Sequence, residues 1–119
     1  MSTRIFDPIT AVSYVAPVVT TADAYSDVTS VILDVRGLKD KAFVMKNTGA
    51  ANALSWKILG SVDDGVEYDI AVKSEADVAL SSYEYYRLTD YYSHLKIQIK
   101  SKVAGNPTTA IVKFAGLGV

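Results

Sequence analysis

At 119 residues, with no cysteine, a single histidine and a net charge of −1, the chain is sized for one domain whose core needs no disulfide or thiolate metal site. Its 12 basic and 13 acidic residues are interspersed, and Lys96, Lys100 and Lys102 are too few to form the basic stripe that phosphate neutralisation requires, so no nucleic-acid partner is expected. Met1 to Asp7 lack the long apolar stretch of a secretory signal, and no apolar run approaches the length of a membrane span, so no membrane partner is expected.

Residues 1–27 read as an extended arm. They hold Pro8 and Pro17, two of the three prolines, among Val, Thr and Ala, without helical or strand period. Proline withholds a ladder donor and forces the preceding residue into extended conformations. One short edge strand is expected near Val15–Thr20. Ile5, Phe6, Ile9, Val12, Tyr14, Val15, Val18 and Val19 are too apolar for a solvated tail. They need a surface, either this domain's own flank or a neighbouring subunit.

Residues 28–119 read as a β-domain. Val28–Val35 is β-branched, with Val31, Leu33 and Val35 on one face. Gly37-Leu38-Lys39-Asp40 turns the chain into Lys41–Asn47, where either Phe43 and Met45 or Ala42 and Val44 point inward. Asn47 to Asn52 is a loop of turn formers. Ser55–Ser61 places Trp56, Ile58 and Gly60 on one face. Asp63-Asp64-Gly65 is a hairpin signal, because glycine supplies the positive φ of a tight turn. Glu67–Lys73 returns, with Tyr68, Ile70 and Val72 in phase. Glu75–Leu80 reads as one helical turn or a loop. Tyr83–Leu88 is an aromatic strand. Leu95, Ile97 and Ile99 alternate with Lys96, Gln98 and Lys100, the cleanest period of two in the chain. Gly105-Asn106-Pro107 turns into Thr108–Ala115, and a glycine-rich tail follows. The expected fold is all-β: an antiparallel β-sandwich or small barrel of seven to eight strands. No amphipathic segment is long enough to cross between parallel strands.

Chemistry-bearing groups are sparse. Asp63, Asp64, Glu67 and Asp69 bunch at one turn and offer oxygens to a hard cation, but alternate strand residues face apart and a solvated hairpin is the reading preferred, so no metal and no cofactor are expected. His94 has Ser93 and Asp90 nearby in sequence, yet no set of nucleophile, base and oxyanion donors can be named, so no enzyme is expected. Trp56 is in phase with Ile58 and reads as core. Tyr83, Tyr85, Tyr86, Tyr91 and Tyr92 crowd around Arg87, and tyrosine gives rigid contact area with a polar tip. Together with Phe6, Ile9, Tyr14 and Val18 they are the expected interface residues. A rival use of Tyr and Trp is as stacking platforms in a carbohydrate- or receptor-binding domain.

The runs Lys46-Asn47-Thr48-Gly49, Leu54 to Ser61, Asp63-Asp64-Gly65, Tyr85-Tyr86-Arg87 and Leu95 to Ser101 resemble small β-sandwich structural proteins of tailed-phage morphogenesis clusters, especially head decoration or cement proteins. The likeness spans about residues 41–115 and carries no active-site residues. It implies a virion location after assembly in the host cytoplasm, and a homo-oligomer that binds the major capsid protein or other virion subunits and stabilises a capsid lattice. A tail or baseplate subunit fits nearly as well.

Overall fold

Period-two alternation is the signal that organises the molecule. In the computed structural model, which describes residues 10–118, it yields nine strands in two antiparallel sheets packed face to face. They are β1 (Thr10–Val15), β2 (Val19–Thr20), β3 (Ser26–Asp34), β4 (Leu38–Asn47), β5 (Leu54–Ser61), β6 (Ile70–Val78), β7 (Tyr83–Leu88), β8 (His94–Ser101) and β9 (Thr109–Gly118). One sheet runs β1-β9-β4-β7 with β2 also on β9, and the other runs β3-β8-β5-β6. The fold is thus a sandwich and not a barrel, because among the described residues each sheet keeps two open edges.

The core is supplied by inward-facing positions of both sheets. Phe43, Met45, Val112 and Phe114 come from the five-stranded sheet, and Trp56, Ile58, Leu95, Ile97 and Ile99 from the four-stranded one. The Phe43 and Phe114 rings meet at 4.9 Å between centroids, in the tilted geometry aromatic pairs prefer. Phe43 and Met45, rather than Ala42 and Val44, are the inward pair of β4. Val31 and Val35 are buried, and Leu33 packs against the same core.

Two buried polar groups close the ends of β4. Lys41 Nζ donates to the carbonyls of Leu38 (3.1 Å) and Asp90 (2.8 Å), and desolvation lowers its pKa. Asn47 Nδ2 donates to the carbonyls of Asn52 (2.9 Å) and Val78 (3.1 Å), while its Oδ1 accepts from the Gly49 N–H and Thr108 Oγ1. Each group is satisfied by hydrogen bonds, as burial demands.

Several local expectations are revised. The seven strands expected in residues 28–119 are all present; β1 and β2 bring the total to nine. The segment read as an arm therefore includes two strands on the molecule's own sheet, and the boundary at residue 27 falls inside β3. Glu75–Leu80 is not a helical turn: β6 continues to Val78, because Ala76 and Val78 pair with Trp56 and Leu54 and face the core. The glycine-rich end is not a tail but the last turn of the β9 ladder, registered on β1 and β4. Gly116 packs closely there: a Cβ would come within 2.7 Å of Leu38 Cδ1, which would have to shift. The Asp63-Asp64-Gly65 hairpin joins β5 to β6 as read, with Asp64 (φ 61°) and Gly65 (φ 84°) both left-handed, as in a type I′ turn.

Candidate assembly surface

Strand register decides which side chains leave the sandwich. On β4 the outward residues are Asp40, Ala42, Val44 and Lys46; on β9 they are Ile111, Lys113, Ala115 and Leu117; on β7 they are Tyr83, Tyr85 and Arg87. Across the five-stranded sheet these align in rows. One row reads Val15, Lys113, Val44, Tyr85, and the next reads Ser13, Ala115, Ala42, Arg87. The result is an outer face of small and apolar residues set around Lys113, rimmed by tyrosine and Arg87. A shallow depression of about 290 Å³ lies on it, floored by Ala42 and Ala115 and walled by Tyr85, Arg87 and Leu117. Leu117 is 47 % exposed, Tyr85 57 % and Tyr83 68 %. Arg87 is fixed beside the depression by a two-pronged pair with Asp40, at 2.9 and 2.6 Å, which holds the Asp40 carboxyl below the usual range.

The outer face of the four-stranded sheet differs in kind. It carries Lys57, Lys96, Gln98 and Lys100. Asp27 accepts from Gln98 (2.7 Å) and pairs with Lys96 (3.4 Å). Glu75 pairs with Lys100 and Asp77 with Lys102. The Tyr25 ring lies between Lys57 and Lys100, 4.3 and 5.1 Å from their ammonium groups. On this face Lys96, Lys100 and Lys102 meet carboxylates within the molecule, and Ile32 and Leu59 flank Lys96.

The expected interface residues separate into groups. Phe6 and Ile9 lie outside the described residues. Tyr14 and Val18 are exposed along the β9 edge. Tyr83, Tyr85 and Arg87 share the outer face, and Tyr91 is exposed in the β7–β8 connection. Tyr86 turns inward and donates its hydroxyl to the Val72 carbonyl (3.0 Å), where it joins Lys73–Glu84 (2.7 Å) in stitching β6 to β7. Tyr92 also packs inward, against the core beside Gly60, and burial raises its pKa. Ala42, Val44, Ile111, Ala115 and Leu117 belong to the surface and were missed. Their signal was the failure of β4 and β9 to alternate cleanly.

The remaining candidates have structural surroundings. Trp56 is fully buried, so no sugar can stack on it. Ser93 Oγ donates to the Ser61 carbonyl and accepts from the Asp64 N–H, not from His94, and His94 Nδ1 has no partner among the described residues. In the acidic hairpin, Asp63 Oδ1 accepts from Ser61 Oγ (2.6 Å) and the Glu67 N–H (3.0 Å), and Asp64 faces Arg36. Those bonds hold the Asp63 carboxyl below its ordinary range. Among the described residues no three His, Asp or Glu side chains converge on a cation position.

No protein-family model matches the sequence, and no curated protein matches it. Solved structures share the fold, among them two that cover nearly the whole of this chain. One is a Bacillus endospore appendage, from a novel family of disulfide-linked pili, with a TM-score of 0.55 and 15 % identity over 100 % of this chain and 98 % of that one. The other is the crystal structure of PirA, with a TM-score of 0.54 and 10 % identity over 94 % of this chain and 97 % of that one. The chain is an all-β sandwich of the kind found in both.

Proposed function

We propose that this chain is a non-catalytic structural subunit that works through the outer face of its five-stranded sheet, joining copies of itself or a lattice of other subunits into an extended assembly. The observation that carries this is the contrast between the two outer faces. On one, Lys96 and Lys100 are met by Asp27 and Glu75, while the other presents Ala115, Leu117, Tyr83 and Tyr85 to solvent around a half-buried Val44. Contiguous exposed apolar surface marks an interaction site. The fold shared with endospore appendage pili favours a polymer. Those pili are disulfide-linked, whereas this sequence has no cysteine, so its polymer would be held without disulfides between these residues. The resemblance to phage head decoration proteins favours a capsid lattice as the second setting, with virion subunits as partners. In that setting binding to the assembled shell, but not to its parts, shifts the balance toward the shell by mass action.

Sedimentation velocity and negative-stain microscopy of the purified chain over a wide concentration range test the proposal. Large regular assemblies support the polymer. A monomer that co-sediments with capsids supports the lattice setting. A monomer that joins neither contradicts the structural role.

A further inference from the structure

We infer that copies of this chain join edge to edge, with β7 of one copy pairing antiparallel with β1 of the next, so that the five-stranded sheet runs on from molecule to molecule. This edge contact would be additional to the one across the outer face, and it rests on the structural-subunit reading.

Strand direction permits this pairing. Every neighbouring pair in the path β1-β9-β4-β7 is antiparallel. Four alternating strands leave the two edges, β1 and β7, running in opposite directions. A copy displaced along the sheet without being turned over therefore brings its β1 beside β7 in antiparallel sense. The pattern β1-β9-β4-β7 then repeats without a break.

Edge quality separates the two sheets. The four-stranded sheet has edges of opposite direction too, but they are irregular. Against β8, the register of β3 jumps between Asp27 and Ile32; against β5, that of β6 shifts at two places. Bulges and edge charges are how sheets prevent further pairing. By contrast, β1 and β7 keep unbroken register with their neighbours. The described side chains of β1 are uncharged, and the two charges of β7 are already engaged, Glu84 by Lys73 and Arg87 by Asp40.

Exposure points the same way. Val12 and Tyr14 face the inner side of the sheet yet remain 43 % and 37 % exposed, and Val15 on the outer side is 59 % exposed. The strand overhangs the sandwich, and a neighbour's edge would cover it. Outer-face sizes are complementary: Ala11, Ser13 and Val15 on β1 would meet Tyr83, Tyr85 and Arg87 on β7. A contact between two different edges is head-to-tail, so each added copy keeps an edge for the next, and the array grows as a filament or closes as a ring.

Because the chain has no cysteine, introduced ones are unique reporters. Tyr85→Cys would be combined in turn with Ala11→Cys, Ser13→Cys and Val15→Cys, so that one pair falls within disulfide reach whatever the register. Mild oxidation of the assembled protein should give a reducible ladder of covalent multimers from at least one double variant. Each single variant should remain a monomer on a denaturing gel, and Ile32→Cys with Ala71→Cys, on the edges of the other sheet, should give no ladder. Dimers from Val15→Cys alone would mean a two-fold β1 contact and would overturn the inference. So would assembly of the unsubstituted chain with no ladder from any of the three pairs, which leaves the subunit reading intact. An unsubstituted chain that never assembles removes both.

Discussion

The two outer faces of this sandwich are built from the same pleat and the same alternation, yet one has completed its interactions and the other has not. On the four-stranded sheet Lys96, Lys100 and Lys102 find Asp27, Glu75 and Asp77, so water and neighbouring side chains satisfy the surface. On the five-stranded sheet Val44, Ala115 and Leu117 have no such partners, and the tyrosines of β7 stand at their rim. Inward positions of these strands build the core, and in the proposed function the outward positions of β4, β7 and β9 are the ones left for assembly.

The largest effect should come from charging the apolar face. Ala115→Glu would place a carboxylate on the floor of the depression. An unpaired charge buried in an interface costs about 2–5 kcal/mol, so assembly should weaken by at least about 30-fold while the monomer's denaturation midpoint barely moves. Thr29→Glu on β3 should leave assembly unchanged in the same sedimentation assay. Equal losses from both would erase the distinction between the faces.

On the folding side, Ile97→Ala removes a fully buried side chain and should cost about 2–5 kcal/mol in denaturant unfolding. Its outward counterpart Val44→Ala should cost under about 1 kcal/mol. Gly60→Ala sharpens the same contrast, since the added Cβ would lie 2.7 Å from both Tyr92 Cδ1 and Val72 Cγ2. Overpacking of that kind should cost about 1–3 kcal/mol.

How much of this was legible in the sequence depended on alternation. His94–Ser101 alternates without exception, and its buried and half-exposed residues follow suit. Leu38–Asn47 and Thr109–Gly118 carry apolar residues on both faces, so period alone left the inward pair of β4 open. That ambiguity was itself the trace of an unpartnered outer face. The tyrosine cluster was visible as a cluster, but its division into outward Tyr83 and Tyr85 and inward Tyr86 and Tyr92 depends on β7 lying between β4 and the β6 edge. Strand pairing across 40 or more residues, such as Lys41 with Leu88 and Tyr14 with Phe114, is set by tertiary packing and leaves no local signal.

The smallest effects belong to the charged face. Lys100→Ala breaks an exposed pair at 3.8 Å and should change stability by less than about 1 kcal/mol. Acid should act in the same modest range. Arg36 holds Asp34 at about 2, and hydrogen bonds from Ser55 and Lys102 lower Asp77. A carboxylate whose folded pKa is depressed stabilises the fold above its unfolded pKa and loses that contribution as pH falls through the folded value. The melting temperature should therefore hold from neutral pH to about 5 and then decline gradually toward pH 2.

Backbone hydrogen exchange, measured on the protein in its assembled and dissociated forms, tests the division of labour most directly. The account predicts that assembly slows exchange along Thr10–Val15 and Tyr83–Leu88, the free edges of the five-stranded sheet, and leaves Ser26–Asp34 and Ile70–Val78 as they were. Slowed exchange in those last two strands, with none in the first two, would contradict it.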